Sequence, residues 1–339
     1  MNIDILTEDQ LAQLSQLISA SQNIIITCHQ SPDGDAIGSS LAWAAYLGSL
    51  GKEVTIIVPD LFPDFLLWLP NTEKIVRYDK HREKCDMLLK IADLIFCLDY
   101  NTPSRVDEMQ QALLDTQAKR VLIDHHLNPD EGSFDLVFST PDISSASELT
   151  FWILKALGWD LRDREIGEAL LTGMTTDTNN FANSVFPTTF AMASELIASG
   201  VDRDAILQKI YFSYRENRVR LMGYMQNEGL TILPEGASYM ILTKEIQERF
   251  DLREGESEGL VNVPLSIKEV RLSLLLKEYE DHYRVSLRSK KGTSAQQCAV
   301  KYFNGGGHEN AAGGRLYPAK DLGGKSLEEY VKQALLESL

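Results

Sequence analysis

The chain has 339 residues, 44% hydrophobic and 24% charged, and its 49 acidic against 33 basic side chains leave a formal net charge of −16. That length supports two domains, each able to bury its own core, and no uninterrupted apolar run is long enough to span a bilayer. The acidic balance excludes a grip on long duplex DNA through a broad basic face, so an anionic substrate would have to be met by bound metal or a small basic cluster.

The amino-terminal "MNIDILTEDQ" is acidic and lacks the basic, apolar and small-residue regions of a signal peptide. Cys28, Cys85, Cys97 and Cys298 are scattered with no C-x-x-C pair, which suits a reducing compartment and argues against thiolate zinc. A cytoplasmic protein with no membrane partner is expected.

"NIIITCH" (23–29) reads as a buried strand, and the apolar spacing over 36–51 as a helix ending at Gly51, a C-cap position. "VTIIVPD" (54–60), "DLIFCLD" (93–99) and "RVLIDHH" (120–126) read as further strands separated by helix-compatible stretches. "SASE" (145–148) has capping-box spacing and opens a helix through "LTFWILKALG", and 165–175 reads as another. The alternation predicts an α/β fold over residues 1–190, a doubly wound and mostly parallel sheet. Residues 191–224 look like a helical connector broken at "SGVDRDA". Beyond it, "GLTILPEGASYMILT", "EVRLSLLLKEY" and "HYRVSLRSKK" read as strands and "SLEEYVKQALLESL" as a closing helix, a smaller α+β domain over 225–339.

Open α/β sheets bind ligands beyond the carboxyl ends of their strands. His29, Asp33 and Asp35 follow the first strand, Asp99 closes "IFCLD", Asp124, His125 and His126 close "VLI", and Asp177 lies in "GMTTDTNNF". Each has an ordinary reading alone. Pro-Asp-Gly-Asp in "SPDGDAIGSS" is good turn chemistry, Asp99 could cap a turn, one histidine could be satisfied in the core, and Asp177 could form an Asx turn. Four separate elements delivering acid or imidazole to one sheet edge predict a metal site, because a buried cluster of this kind needs counter-charge. Oxygen and imidazole donors without thiolate favour manganese, with magnesium or zinc as alternatives. Two divalent metal ions sharing a bridging carboxylate would suit a phosphoryl displacement.

These stretches resemble the signature of the DHH phosphoesterase superfamily. "CHQSPDGDAIGS" (28–39), "CLDYN" (97–101), "LIDHHLNP" (122–129) and "GMTTDTNNF" (173–181) resemble its four motifs in order, and "FNGGGHENAAGG" (303–314) resembles the glycine-rich signature of the DHH-associated C-terminal domain. The resemblance implies one metal on His29, Asp33 and Asp99, and a second on Asp35, Asp99, His125 and Asp177, with Asp99 bridging. It implies a catalytic set of Asp99, Asp124, His125 and His126, with His126 facing the substrate phosphate and Asp124 orienting a neighbouring ligand. It further implies that Arg288 of "SLRS" and His308 of "GGGH" grip the terminal phosphate or nucleotide, in an active site between the two domains. Arg284, Arg288, Lys290, Lys291 and Lys301 would supply the small basic cluster, and Gly305, Gly306 and Gly307 would let backbone N–H groups approach an anion. Asn180 and Phe181 either contact substrate or pack beneath the metals.

Within the superfamily the chain resembles the nanoRNase/pAp-phosphatase branch, since it is too short for the added nucleic-acid-binding domain of RecJ-type exonucleases. The implied function is a phosphoesterase acting on very short oligoribonucleotides and 3′-phosphoadenosine 5′-phosphate (pAp), releasing mononucleotides. A cyclic or linear dinucleotide phosphodiesterase, a family II-like pyrophosphatase and a catalytically silent nucleotide sensor remain as alternatives. The expected partners are short RNA and small nucleotides, with no protein partner.

Overall fold

Continuous apolar runs become the strands of a sheet in the first of two units, which ends at Ser213; the second spans Tyr214–Leu339. The structure is a computed structural model describing residues 6–339, so the first five residues of the acidic amino-terminal stretch, and of the expected 1–190 domain, lie outside it. The strands of the first unit are β1 (Asn23–Cys28), β2 (Glu53–Val58), β3 (Val76–Arg77), β4 (Leu94–Leu98), β5 (Lys119–Asp124) and β6 (Leu136–Ser139). They lie in the order β3-β2-β1-β4-β5-β6, and neighbours pair in parallel.

Among the described residues eight α-helices accompany them: α1 (Glu8–Ala20), α2 (Gly34–Ser49), α3 (Tyr78–Ile91), α4 (Gln110–Asp115), α5 (Ala146–Ala156), α6 (Arg164–Asp177), α7 (Pro187–Ala198) and α8 (Arg203–Tyr211). Ile24, Ile26, Phe96, Val121 and Ile123 share a core with Ile37 and Leu41 of α2, Leu149 of α5 and Leu170 of α6. On the opposite face Ile25, Ile57, Ile95 and Leu122 meet Cys85 and Leu89 of α3 and Leu113 of α4. Strands covered on both faces need apolar side chains at successive positions, which is why they read as runs rather than alternations. The chain winds outward from β1 to β3, then crosses back to β4 beside β1. The switch point between β1 and β4 is where a ligand crevice is expected.

The second unit contains α9 (Glu216–Asn227), β7 (Leu230–Leu233), β8 (Ala237–Leu242), α10 (Lys244–Arg249), β9 (Leu272–Glu278), β10 (Tyr283–Ser289), α11 (Ala295–Tyr302), β11 (Gly306–Gly307), β12 (Ala311–Leu316), α12 (Pro318–Asp321) and α13 (Leu327–Leu336). Its sheet runs β11-β12-β10-β9-β8-β7, antiparallel except for the β8–β9 pair. Leu274, Leu276, Val285 and Leu287 pack on Cys298 of α11 and Val331 and Leu335 of α13. Leu275 and Met240 meet Leu221 and Met225 of α9 on the other face. Among the described residues no helix is long and apolar enough to cross a membrane.

Candidate metal centre

The loop after β1 carries the first donors. His29 is buried, and its Nδ1 lies 2.8 Å from the carbonyl oxygen of Gln30, which can only accept. Nδ1 therefore holds the proton, and Nε2 is the atom left to face the acids. Nε2 stands 3.8 Å from Asp33 Oδ2 and 3.4 Å from Asp99 Oδ2. Asp33 is also the N-cap of α2: its Oδ1 accepts from the N–H of Asp35 (3.0 Å) and Ala36 (3.1 Å). One oxygen thus starts the helix and the other points at the cluster, so turn and metal-site readings of "SPDGDAIGSS" hold together.

Asp35, in the first turn of α2 and fully buried, is held by a different helix. Its Oδ2 accepts from Ala146 N–H (2.6 Å) and its Oδ1 from Ser147 N–H (2.8 Å), the first two amides of α5. A helix N-terminus favours a carboxylate there. Asp177 is the last residue of α6, where the helix dipole disfavours negative charge and a cation would relieve it. Glycines let α2 and α6 cross closely enough to bring these acids together. A Cβ on Gly38 would stand 2.5 Å from the carbonyl oxygen of Ala169, and one on Gly173 would stand 2.0 Å from Ser147 Oγ and 3.0 Å from Asp35 Oδ1.

Asp99 follows β4 in a left-handed conformation, φ 60°, uncommon for a residue with a side chain. Its Oδ1 lies 3.3 Å from His125 Nε2, and that nitrogen is also 3.8 Å from Asp35 Oδ2 and 3.6 Å from Asp177 Oδ2. Asp124, the last residue of β5, accepts from His126 N–H at Oδ2 (3.1 Å) and lies 2.7 Å from His126 Nδ1 at Oδ1. All the acids and histidines anticipated at this sheet edge in the first unit are there. They fall into sets whose donor atoms lie within 4.8 Å of one another: His29, Asp33 and Asp99; Asp35, His125 and Asp177; Asp99, Asp124 and His126.

Protons alone balance this charge poorly. Burial opposes a charge on His29, yet hydrogen bonds to Asp33 and Asp99 carry its pKa up to about 10. Burial likewise opposes a charge on His125, and Asp177 and Asp99 raise it well above the usual histidine range. Burial pushes Asp177 up to about 6, and burial together with Asp99 raises Asp35 well above the ordinary carboxylate range. Asp99 goes the other way: despite burial, its bonds to His125 and His29 hold it well below that range.

The donor set fits divalent cations. One ring nitrogen carries one proton and cannot serve three carboxylate oxygens around His125, whereas an ion of coordination number five or six can. Two donors at about 2.1 Å from one ion stand roughly 3.0–3.4 Å apart, close to the observed 3.3–3.8 Å. The first unit therefore contains groups able to hold metal.

Several supporting residues escape a reading of sequence. Asp60, just past β2, accepts from the backbone N–H and the hydroxyl of Ser31, whose φ of 52° closes the loop between His29 and Asp33. The signal was an acid at a strand end, the same as for Asp99. Gly38 and Gly173 carried no such signal. "SASE" forms half a capping box: Ser145 accepts from Glu148 N–H (2.9 Å), but the Glu148 carboxylate instead accepts from Ser144 N–H (3.0 Å) and Thr189 Oγ1 (2.7 Å).

In the second unit Arg288 lies on β10 between Ser273 of β9 and Ala311 of β12. His308 and Ala311 close a turn through backbone bonds of 2.8 and 3.3 Å. Asn310 pins that turn to the end of β10 by donating Nδ2 to Ser289 Oγ (2.9 Å) and the carbonyls of Lys290 and Thr293 (both 3.2 Å). Arg288 and His308 thus share one local frame. Gly305 gives its N–H to the Ala299 carbonyl (3.2 Å), and a Cβ there would stand 2.0 Å from Gly313 O, so its missing side chain serves close backbone approach. Gly306 and Gly307 pair with Gly313 and Ala312.

The five-cation cluster expected from spacing is not one patch. Arg284 pairs with Glu254 (3.5 Å), Lys301 pairs with Glu337 (3.2 Å), and Lys290 donates to the carbonyls of Ile267 (2.7 Å) and Lys268 (3.2 Å). Charge counted along a strand does not reveal which cations a neighbouring element neutralises.

Residues 23–175 match the model of the DHH family N-terminal domain, and residues 238–334 that of the DHHA1 domain. The chain is similar to the bifunctional oligoribonuclease and PAP phosphatase NrnA of Thermus thermophilus, at 31% identity over 98% of this chain and 95% of that protein. It is also similar to the probable bifunctional oligoribonuclease and PAP phosphatase NrnA of Streptococcus mutans, at 30% identity over 88% of this chain and 91% of that one. Among solved structures, an exopolyphosphatase-related protein of Bacteroides fragilis aligns with a TM-score of 0.89 and 39% identity, covering 99% of this chain and 98% of that chain.

Proposed function

The chain belongs to the DHH family, and from that premise we propose that it is a two-metal phosphoesterase. It would release mononucleotides from very short oligoribonucleotides and hydrolyse the 3′-phosphate of pAp to leave AMP. The observation that carries this reading is that the two oxygens of Asp99 face different histidines, Oδ2 towards His29 (3.4 Å) and Oδ1 towards His125 (3.3 Å). A carboxylate so placed suits a bridge between two ions. The near-full-length similarity to the Thermus and Streptococcus proteins supports the substrate class.

His29, Asp33 and Asp99 would hold one ion, and Asp35, Asp99, His125 and Asp177 the other. Manganese is favoured by the oxygen and imidazole donors, with magnesium or zinc as alternatives. Divalent cations held by these residues would lower the pKa of water and polarise phosphoryl oxygens. The protein's own groups orient the rest. Asp124 Oδ1 lies within hydrogen-bond distance of His126 Nδ1, so that His126 would present Nε2 to a phosphate oxygen. In the second unit Arg288 and His308 would bind the terminal phosphate, with the backbone around Gly306 and Gly307 able to approach it closely, while the Gly305 N–H is already given to Ala299.

The metal-binding domain would occupy residues 1–190, the connector 191–224 and the substrate-binding domain 225–339. Four buried, unpaired cysteines support a reducing, cytoplasmic setting.

The test is a product profile with manganese, with and without chelator. It offers pAp, RNAs from two to about two dozen nucleotides, a cyclic dinucleotide and pyrophosphate in parallel. Mononucleotide release from the shortest RNAs, abolished by chelator, is expected. Phosphate from pyrophosphate alone, or opening of the cyclic dinucleotide alone, would move the protein to another branch, and no turnover at all would point to a nucleotide sensor.

A further inference from the structure

Three consecutive residues after Asp177 are left-handed: Asn179 (φ 48°), Asn180 (φ 55°) and Phe181 (φ 66°). Asparagine tolerates this region, but a bulky aromatic there is a true outlier, and such strain concentrates at ligand-binding loops. The loop sets the Phe181 ring on Phe190 of α7, with centroids 5.3 Å apart and planes 16° from parallel. Arg203, the first residue of α8, braces the loop. Its Nη2 donates to Asn180 Oδ1 (2.7 Å), and its guanidinium lies 5.8 Å from the Phe181 centroid. Phe181 packs against the core, yet Phe190 remains 54% exposed.

The stack is tied to the metal-bearing edge. Phe181 lies four residues beyond Asp177. Thr189, the neighbour of Phe190, donates its hydroxyl to the buried Glu148 carboxylate (2.7 Å). Glu148 stands in the first turn of α5, whose Ala146 and Ser147 amides hold Asp35 (2.6 and 2.8 Å). One chain of bonds thus links the exposed aromatic to a proposed metal ligand, within the first unit.

We propose that the Phe181–Phe190 stack, braced by Arg203, is a platform for a nucleobase of the substrate. This rests on the function proposed above and adds what the metals cannot supply, a site that reads a base rather than a phosphate. An exposed ring face stacks on any base, so the platform would be tolerant of sequence. The guanidinium beside it adds attraction for the π-face and for a neighbouring phosphate.

The test compares KM for a ribodinucleotide with KM for the same dinucleotide made abasic at either position. Phe190→Ala should raise KM for the intact dinucleotide about tenfold, with a far smaller change in kcat. Phe190→Trp should restore KM, and Phe190→Leu, which keeps apolar bulk, should not. With one of the two abasic substrates the difference between wild type and Phe190→Ala should vanish. An unchanged KM on the intact dinucleotide, or an equal rise on both abasic forms, overturns the platform. Should the wild type turn over no nucleotide, the proposed function fails while the platform is still judged by 2-aminopurine ribonucleotide fluorescence. Quenching by wild type and not by Phe190→Ala supports it, and equal signals overturn it.

Discussion

Asp99 Oδ1 lies 3.3 Å from His125 Nε2, although the two residues close different strands of the sheet. The second oxygen of Asp99 faces His29, so this one side chain reaches a histidine of each proposed ion site. Asp33 belongs to one only. Asp99→Ala should therefore lose both manganese ions and lower turnover by on the order of a thousandfold or more. Asp33→Ala should lose one ion, and its missing cap should cost about 1 kcal/mol of stability. Metal content of the purified variants, with denaturation midpoints alongside, separates the two. Full manganese content in Asp99→Ala would sink the bridging assignment.

Asp60 touches the loop between His29 and Asp33 through Ser31. Asp60→Ala should weaken manganese binding by about ten- to a hundredfold, the usual range for a residue that orients a ligand, without changing the number of ions bound. Asp60→Asn, which can still accept from the Ser31 amide, should recover much of that. A calorimetric manganese titration gives both affinity and stoichiometry. An Asp60→Ala affinity equal to wild type would make the contact incidental.

The charge on His29 makes the chelated protein sensitive to alkali. A histidine raised from 6.5 to about 10 in the folded state contributes stability that is complete below pH 6.5 and lost as pH climbs through 10. Asp177, raised from 3.8 to about 6, acts in the same direction over a lower window, so its contribution has gone by neutrality. The Tm of chelated protein should fall by at least about 5 °C between pH 6.5 and 9.5. If Nε2 is a metal donor as proposed, manganese would take the place of that proton and the fall should largely disappear. Scanning calorimetry at both pH values decides it, and equal slopes with and without metal would contradict the donor role.

Gly173 marks where α2, α5 and α6 meet. A methyl group there would collide with Ser147 Oγ and crowd Asp35 Oδ1. Gly173→Ala should cost roughly 1–3 kcal/mol, the range for overpacking a tight contact, and should weaken metal binding by spreading Asp35 from Asp177. Gly48→Ala has open space around the new methyl and is the control. Urea denaturation and manganese titration read the two effects.

Much of the first unit was legible because its strands are buried on both faces. β1, β4 and β5 have to be continuous apolar runs, and each ends where polar side chains become affordable. The edge strands β3, two residues long, and β6, four residues long, carry too little pattern to be read. In the second unit β12, "AAGGRL", lacks the branched and aromatic residues that mark a strand. Its approach to the neighbouring backbone depends on Gly305 and Gly314, where a Cβ would collide. Glu148 shows the limit of local rules, since it satisfies Ser144 and Thr189 instead of completing its own cap.

The sequence by itself determined the kinds of donor and their order along the chain, because an acid or histidine after a buried strand can only be delivered to the sheet's carboxyl edge. Which donor meets which was decided by tertiary structure. β1 lies beside β4 and β4 beside β5, and α2 crosses α6 over paired glycines. Those placements carry Asp99 between His29 and His125, and Asp35 towards Asp177. Distances between residues far apart in sequence are set by strand order and helix packing, and neither is written in the spacing of the residues themselves.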